Sequence, residues 1–290
     1  MGLNRPRLTG VALQHKASNK RAGFTALFFA LPAALLLCLL TLSCGEDAAK
    51  DPATTLEPAE QALAKGDIAD AEMLYERFLR TEPSSPLRRQ AGNKLLEITL
   101  NIRQDKATAG AYLEVMRREY ADAPEYRRGV ELALATLRNS MRDDSEAVPL
   151  WEKLAADPGT PPETKALVYR NLAAAYMRRL EFTPAQDALQ ACLELNMGVP
   201  AKGECLYDMA EVNMLTEDPA GSERNLRTLL RWTDLPEDLR LRAVFLLADV
   251  CDLQAKYPEA LSLFESIRNK HPNQKVVDMR IAYLKNRKKK

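Results

Sequence analysis

The stretch YRNLAAAYMRRLEFTPAQDALQAC, residues 169–192, decides the fold. Tyr169, Leu172, Ala173 and Tyr176 fall at i, i+3, i+4 and i+7, one face of a helix. The stripe breaks over residues 179–183 and resumes as Ala185, Leu189 and Cys192. Two amphipathic helices with so short a gap make an antiparallel hairpin. The small side chain of Ala185 lets the two helices approach closely. Four residues on, the large Leu189 fills the gap to whatever packs next.

Working outward, Ala185 is one of a series. Ala71, Ala109, Ala147, Ala185, Ser222 and Ala260 are separated by 38, 38, 38, 37 and 38 residues. The stripe recurs with them as Tyr75/Phe78, Leu113/Met116, Trp151/Leu154, Leu226/Leu229 and Phe264/Ile267. A second ladder runs in phase through Ala59, Glu97, Ala135, Ala173, Ala210 and Ala248, with Glu97 the one large residue in it. A fixed period between about 20 and 50 residues marks a solenoid of stacked units. Breakers punctuate the units at Pro83, Pro86, Pro124, Pro158, Gly159, Pro161, Pro162, Pro200, Pro236 and Pro272. Proline is excluded from helix interiors and tolerated in the first turn, so these positions are read as junctions.

This rhythm resembles the tetratricopeptide repeat, over roughly residues 52–274. The matching positions are Gly66-Ala71-Tyr75-Pro83, Leu172-Ala173-Tyr176-Ala185 and Leu247-Ala248-Ala260-Phe264-Pro272. The period is about four longer than the usual 34 residues. The resemblance implies an all-α, right-handed α-solenoid of six hairpins over 57–274. A capping helix and basic tail over 275–290 would cover the last apolar face with Val276, Val277, Met279, Ile281, Ala282 and Leu284. It also implies a concave groove lined by the first helix of each hairpin, with protein or peptide partners. In that register the groove candidates are Asn139, Arg170, Met177, Tyr207, Met214, Phe245, Asp249 and Asp252. Arg170 would pair a partner carboxylate; Tyr207 and Phe245 would be apolar anchors. Met177 and Phe245 have an alternative role as packing between helices.

The front of the chain is an address. Residues 1–43 carry Arg5, Arg7, Lys16, Lys20 and Arg21 and no acid. The apolar run FTALFFALPAALLLCLLTL follows, from Phe24 to Leu42. A basic region, an apolar region and a small residue before a cut describe a secretory signal peptide. Leu42-Ser43-Cys44-Gly45 resembles a bacterial lipobox, which implies lipidation at Cys44. It departs from that pattern at Thr41. The competing reading is an uncleaved anchor, since about 20 apolar residues span a bilayer. Either way the basic flank stays inside and the rest of the chain faces the periplasm. Residues 44–56 read as a flexible tether. The stretched spacing is loosely similar to that of two extracytoplasmic families, the lipoprotein of the outer-membrane barrel-assembly machinery and the Tol-associated cell-division coordinator.

Without residues 1–43 the chain has 36 basic and 40 acidic residues, an acidic balance that disfavours nucleic acid. The basic end KNRKKK either complements a helix C-terminus or contacts anionic lipid. Nucleotide-binding motifs, CxxC and HExxH are missing from the sequence, and His271 is the only histidine after the signal segment. No enzyme activity, metal or cofactor is therefore expected. In repeat register Cys192 ends one helix and Cys205 begins the next. They are read either as a disulfide, which a periplasm permits, or as two buried small hydrophobes. The expected function is a membrane-tethered interaction scaffold in the bacterial cell envelope. The alternative is an inner-membrane-anchored, chaperone-like accessory that holds translocated clients.

Overall fold

The computed structural model of the chain describes residues 55–287. The expected signal peptide over 1–43, the lipidation candidate Cys44 and most of the expected tether over 44–56 lie outside the described residues. Thirteen α-helices, one short π-helical segment and no strand occur among the described residues. The first hairpin is α1 (Glu57–Lys65) with α2 (Ile68–Thr81), and the second is α3 (Arg88–Glu97) with α4 (Lys106–Glu119). The third is α5 (Pro124–Ser140) with α6 (Asp144–Ala156), and the fourth α7 (Pro162–Arg178) with α8 (Phe182–Glu194). The fifth is α9 (Val199–Leu215) with α10 (Pro219–Leu230), and the sixth α11 (Glu237–Leu253) with α12 (Tyr257–Ile267). A last helix, α13 (Gln274–Arg287), packs on α12 and buries Val277, Ile281 and Leu284. Among the described residues no helix is long and apolar enough to cross a membrane.

The first ladder is the spine of the core. Ala71, Ala109, Ala147, Ala185, Ser222 and Ala260 are all completely buried. So are the large residues four places on: Tyr75, Leu113, Trp151, Leu189, Leu226 and Phe264. Each pair is one helical turn apart and faces the partner helix. Most prolines fall in first turns or linkers; Pro149 sits inside α6.

A third ladder lies in the turns. Gly66, Gln104, Arg142, Leu180, Glu217 and Ala255 have positive φ, from 56 to 85°. Each is the left-handed residue that ends the first helix of its hairpin. The next residue closes the turn: Asp67, Asp143, Glu181, Asp218 and Lys256 each donate their N–H to the carbonyl five residues back, at 2.8–3.0 Å. Asp105, Asp143 and Asp218 also cap the following helix with their side chains. A non-glycine residue in this conformation costs about 1–2 kcal/mol, offset in part by glycine's larger entropy loss on folding. Leu180→Gly is therefore expected to gain about 0.5–1 kcal/mol. Gly66→Ala, whose new Cβ would meet open space, is expected to lose about as much from strain alone. Urea titration with an unchanged slope checks both; a destabilised Leu180→Gly would contradict the assignment.

Hairpin two departs from the pattern, and this explains Glu97. Thirteen residues separate Leu134 from Ala147, Leu172 from Ala185 and Leu247 from Ala260, but fourteen separate Leu95 from Ala109. The extra residue is absorbed at the end of α3, where residues Ile98–Arg103 form wide turns with i→i+5 hydrogen bonds. The closing bond there, Asp105 N–H to the Thr99 carbonyl at 3.0 Å, spans six residues instead of five. The register of α3 is thus shifted by one. Leu96, not Glu97, takes the place of the small residue, and Glu97 is exposed.

Candidate partner-binding face

The first helices of successive hairpins lie side by side, so α5, α7, α9 and α11 present one continuous layer. The eight groove candidates all fall on these four helices, and all are half-buried rather than open. Their surroundings come from the neighbouring hairpin. Arg170 on α7 donates to Asp208 at 2.5 Å and to Glu204 at 2.9 Å, both on α9. Glu204 also pairs with Arg242 of α11, whose guanidinium lies over the Tyr207 ring at 4.8 Å. Asn139 donates to Asn171 at 3.0 Å and accepts from Arg178, which also holds Asp144 through Nε at 3.0 Å.

The expectation that Arg170 stands free for a partner's carboxylate is therefore corrected. Its guanidinium is satisfied within the chain and fastens hairpin four to hairpin five. Phe245 is likewise not an open anchor. Its ring meets Phe264 edge-on at 5.2 Å and stacks on His271 at 5.1 Å. Met177 and Met214 pack against the buried core. Asp249 and Asp252 face Arg280 and Arg287 of α13, at 3.3 and 3.9 Å. Sequence reasoning missed Glu204, Asp208, Glu211 and Arg242. Their signal is spacing: Asp208 follows Arg170, and Arg242 follows Glu204, by one 38-residue period with opposite charge.

No protein-family model matches the chain, and neither does any curated protein. Among solved structures it is similar to BtubC (BKLC) from P. vanneervenii at 15% identity and a TM-score of 0.50, covering 77% of this chain and 91% of that one. It is also similar to pilF of Pseudomonas aeruginosa at 14% identity and a TM-score of 0.49, covering 83% of this chain and 98% of that one. A third is a tetratricopeptide repeat protein from Parabacteroides merdae, at 15% identity and a TM-score of 0.35, covering 79% and 96%. The fold is an all-α solenoid of tetratricopeptide-like helical hairpins.

The centre of the repeat face is electrostatically tense. Arg170 and Arg242 sit among Glu204, Asp208 and Glu211, leaving one negative charge in excess. Burial pushes the Asp208 carboxyl up against the pull of Arg170. Burial also raises Glu211, and the Asp208 charge adds to it. A carboxyl raised in the folded state contributes stability that is full below its unfolded value and lost as pH rises through the folded one. Glu211→Gln removes that liability. It is expected to be more stable than the native chain at pH 7 and indistinguishable from it near pH 4. Melting temperatures across this range check it; equal melting curves at pH 7 would contradict it.

At the junction of α8 and α9 Cys192 and Cys205 are both buried with Cα atoms 6.1 Å apart, a separation a disulfide can span. Cys251 is buried on α11, and burial pushes its thiol up to about 11, which keeps it unreactive.

Proposed function

We propose that the chain is a non-enzymatic scaffold, tethered to a membrane at its N-terminal end, that binds protein or peptide partners in the bacterial cell envelope. The observation that carries this reading is the continuous layer of α5, α7, α9 and α11. Polar and aromatic side chains there alternate along a face long enough for an extended segment or a helix. Its excess negative charge between α7 and α11 favours a partner segment with basic groups. The basic flank and apolar run before Cys44 support the tether, and the resemblance of Leu42-Ser43-Cys44-Gly45 to a lipobox supports a lipoprotein.

Photo-crosslinking in cells tests the face. A benzophenone amino acid at Leu167, which is 45% exposed on α7, is expected to trap a discrete partner. The same group at Arg224, on the opposite layer in α10, is expected to trap none. Equal adducts from both positions would overturn the face. The mass of the mature N-terminus tests the tether: acylated Cys44 supports the lipoprotein, and an uncleaved N-terminus supports the anchored, chaperone-like reading. Thiol counting tests the bridge. In protein denatured under alkylating conditions, Cys192 and Cys205 are expected to be protected and Cys251 free. Three free thiols in the body would rule out the Cys192–Cys205 bridge.

A further inference from the structure

Hairpin two carries a glycine, Gly92, where later hairpins carry larger residues. Gly92 of α3 lies three residues before Leu95. The same position in later hairpins is Glu131, Tyr169, Leu206 and Val244. Glu131 and Leu206 are buried there, whereas Gly92 supplies no side chain. The result is a cavity of about 360 Å³ between α2, α3 and α4, on the layer opposite the partner-binding face. That volume is within the range of small-molecule sites.

The walls are apolar: Leu79, Leu95, Tyr112, Val115, Met116 and Tyr120. Val115 is 59% exposed at the mouth. Four charged residues line it, and three are engaged. Arg88 forks onto Glu119 at 2.6 and 3.0 Å and bonds the Glu82 carbonyl at 3.1 Å. Glu76 accepts the Tyr112 hydroxyl at 2.7 Å. Arg80 has no ion-pair partner among the described residues and is exposed beside the mouth. An apolar chamber with one unengaged cation at its rim is complementary to a molecule with an apolar body and a single anionic head.

We infer that the cavity between α2, α3 and α4 binds a small amphipathic carboxylate, its apolar body against Leu79, Leu95 and Met116 and its head on Arg80. Affinity then has two separable parts, burial of the body and pairing of the head. This site is independent of the partner-binding face and does not rest on the function proposed for it.

The test uses the full chain held in amphipol, with methionine methyl groups labelled for NMR. Decanoate and uncharged decanol are the probes. Decanoate is expected to shift the Met116 methyl signal saturably and to leave that of Met279, on α13, in place. Decanol is expected to bind at least tenfold more weakly. Gly92→Leu occupies the cavity, because a Cβ there meets Met116 at an ordinary 3.5 Å. It is expected to abolish the shift without lowering the melting temperature. Arg80→Gln is expected to reduce decanoate affinity at least tenfold, to the level of decanol, on a folded chain. The inference is overturned by an absent or unsaturable Met116 shift, by decanoate binding that survives Gly92→Leu, or by equal affinity for decanoate and decanol in the native chain.

Discussion

Trp151→Ala is expected to lower the stability of the body by roughly 3–5 kcal/mol, the largest loss from any single truncation in the ladder. Trp151 is completely buried in α6, one turn from Ala147, in the same cluster as Leu113, Leu134 and Leu172. It therefore links hairpins two, three and four. Deleting its ring removes that packing and leaves a void that a rigid stack of helices fills only in part. Its indole nitrogen has no partner among the described residues, so the loss is one of packing and not of a hydrogen bond. Trp151→Phe keeps most of the ring and drops the orphaned N–H, so its loss is expected to be much smaller. Repeat arrays are stabilised by each unit plus its interface with the next. The alanine variant is accordingly expected to unfold in two steps, hairpins one to four before the remainder. Urea denaturation followed by hydrogen exchange checks this. A single transition within 1 kcal/mol of the native one would show that Trp151 is not the keystone its burial implies.

Arg170→Ala is expected to cost on the order of 2 kcal/mol, as removal of one member of a half-buried, hydrogen-bonded ion pair does. The loss arises at Asp208, which is left with a shielded and unpaired carboxylate. Glu204 still has Arg242. Replacing both members by apolar residues, Arg170→Met with Asp208→Leu, is expected to recover most of the stability, since a buried pair gains little over well-packed hydrophobes. The double-mutant cycle measures the coupling across the joint between hairpins four and five. A single variant within 0.5 kcal/mol of the native chain would remove Arg170 from the joint.

The periodicity made the hairpins legible because a small residue and a large one, four apart, do the same packing task each time. Ala71 with Tyr75 and Ala260 with Phe264 have the same burial although 189 positions separate them. What escaped was anything that depends on a single residue of phase. Glu97 lies at the spacing of the second ladder, yet one extra residue before Ala109 rotates it outward by about 100°. The left-handed turn positions escaped because only Gly66 carries the expected residue type. Arg170 was read as free because its partners lie 34 and 38 residues later, and a charge looks solitary until the period is applied to the charges as well as to the apolar residues. Phe245 lies on the candidate face as its spacing implies, but neighbouring rings cover it, and composition alone does not distinguish a covered ring from an open one.

A disulfide between Cys192 and Cys205 would close only 13 residues, yet it would cross from the fourth hairpin to the fifth. Consider the chain under tension, pulled from its N-terminal end. Hairpins joined by side-chain contacts alone would peel away one after another, each adding its own contour length. A bridge at the joint of hairpins four and five would instead hold the thirteen residues it closes out of the extension. A pulled molecule would thus fall short there by about 4 nm, at about 3.5 Å for each residue, and adding a reductant would restore that length.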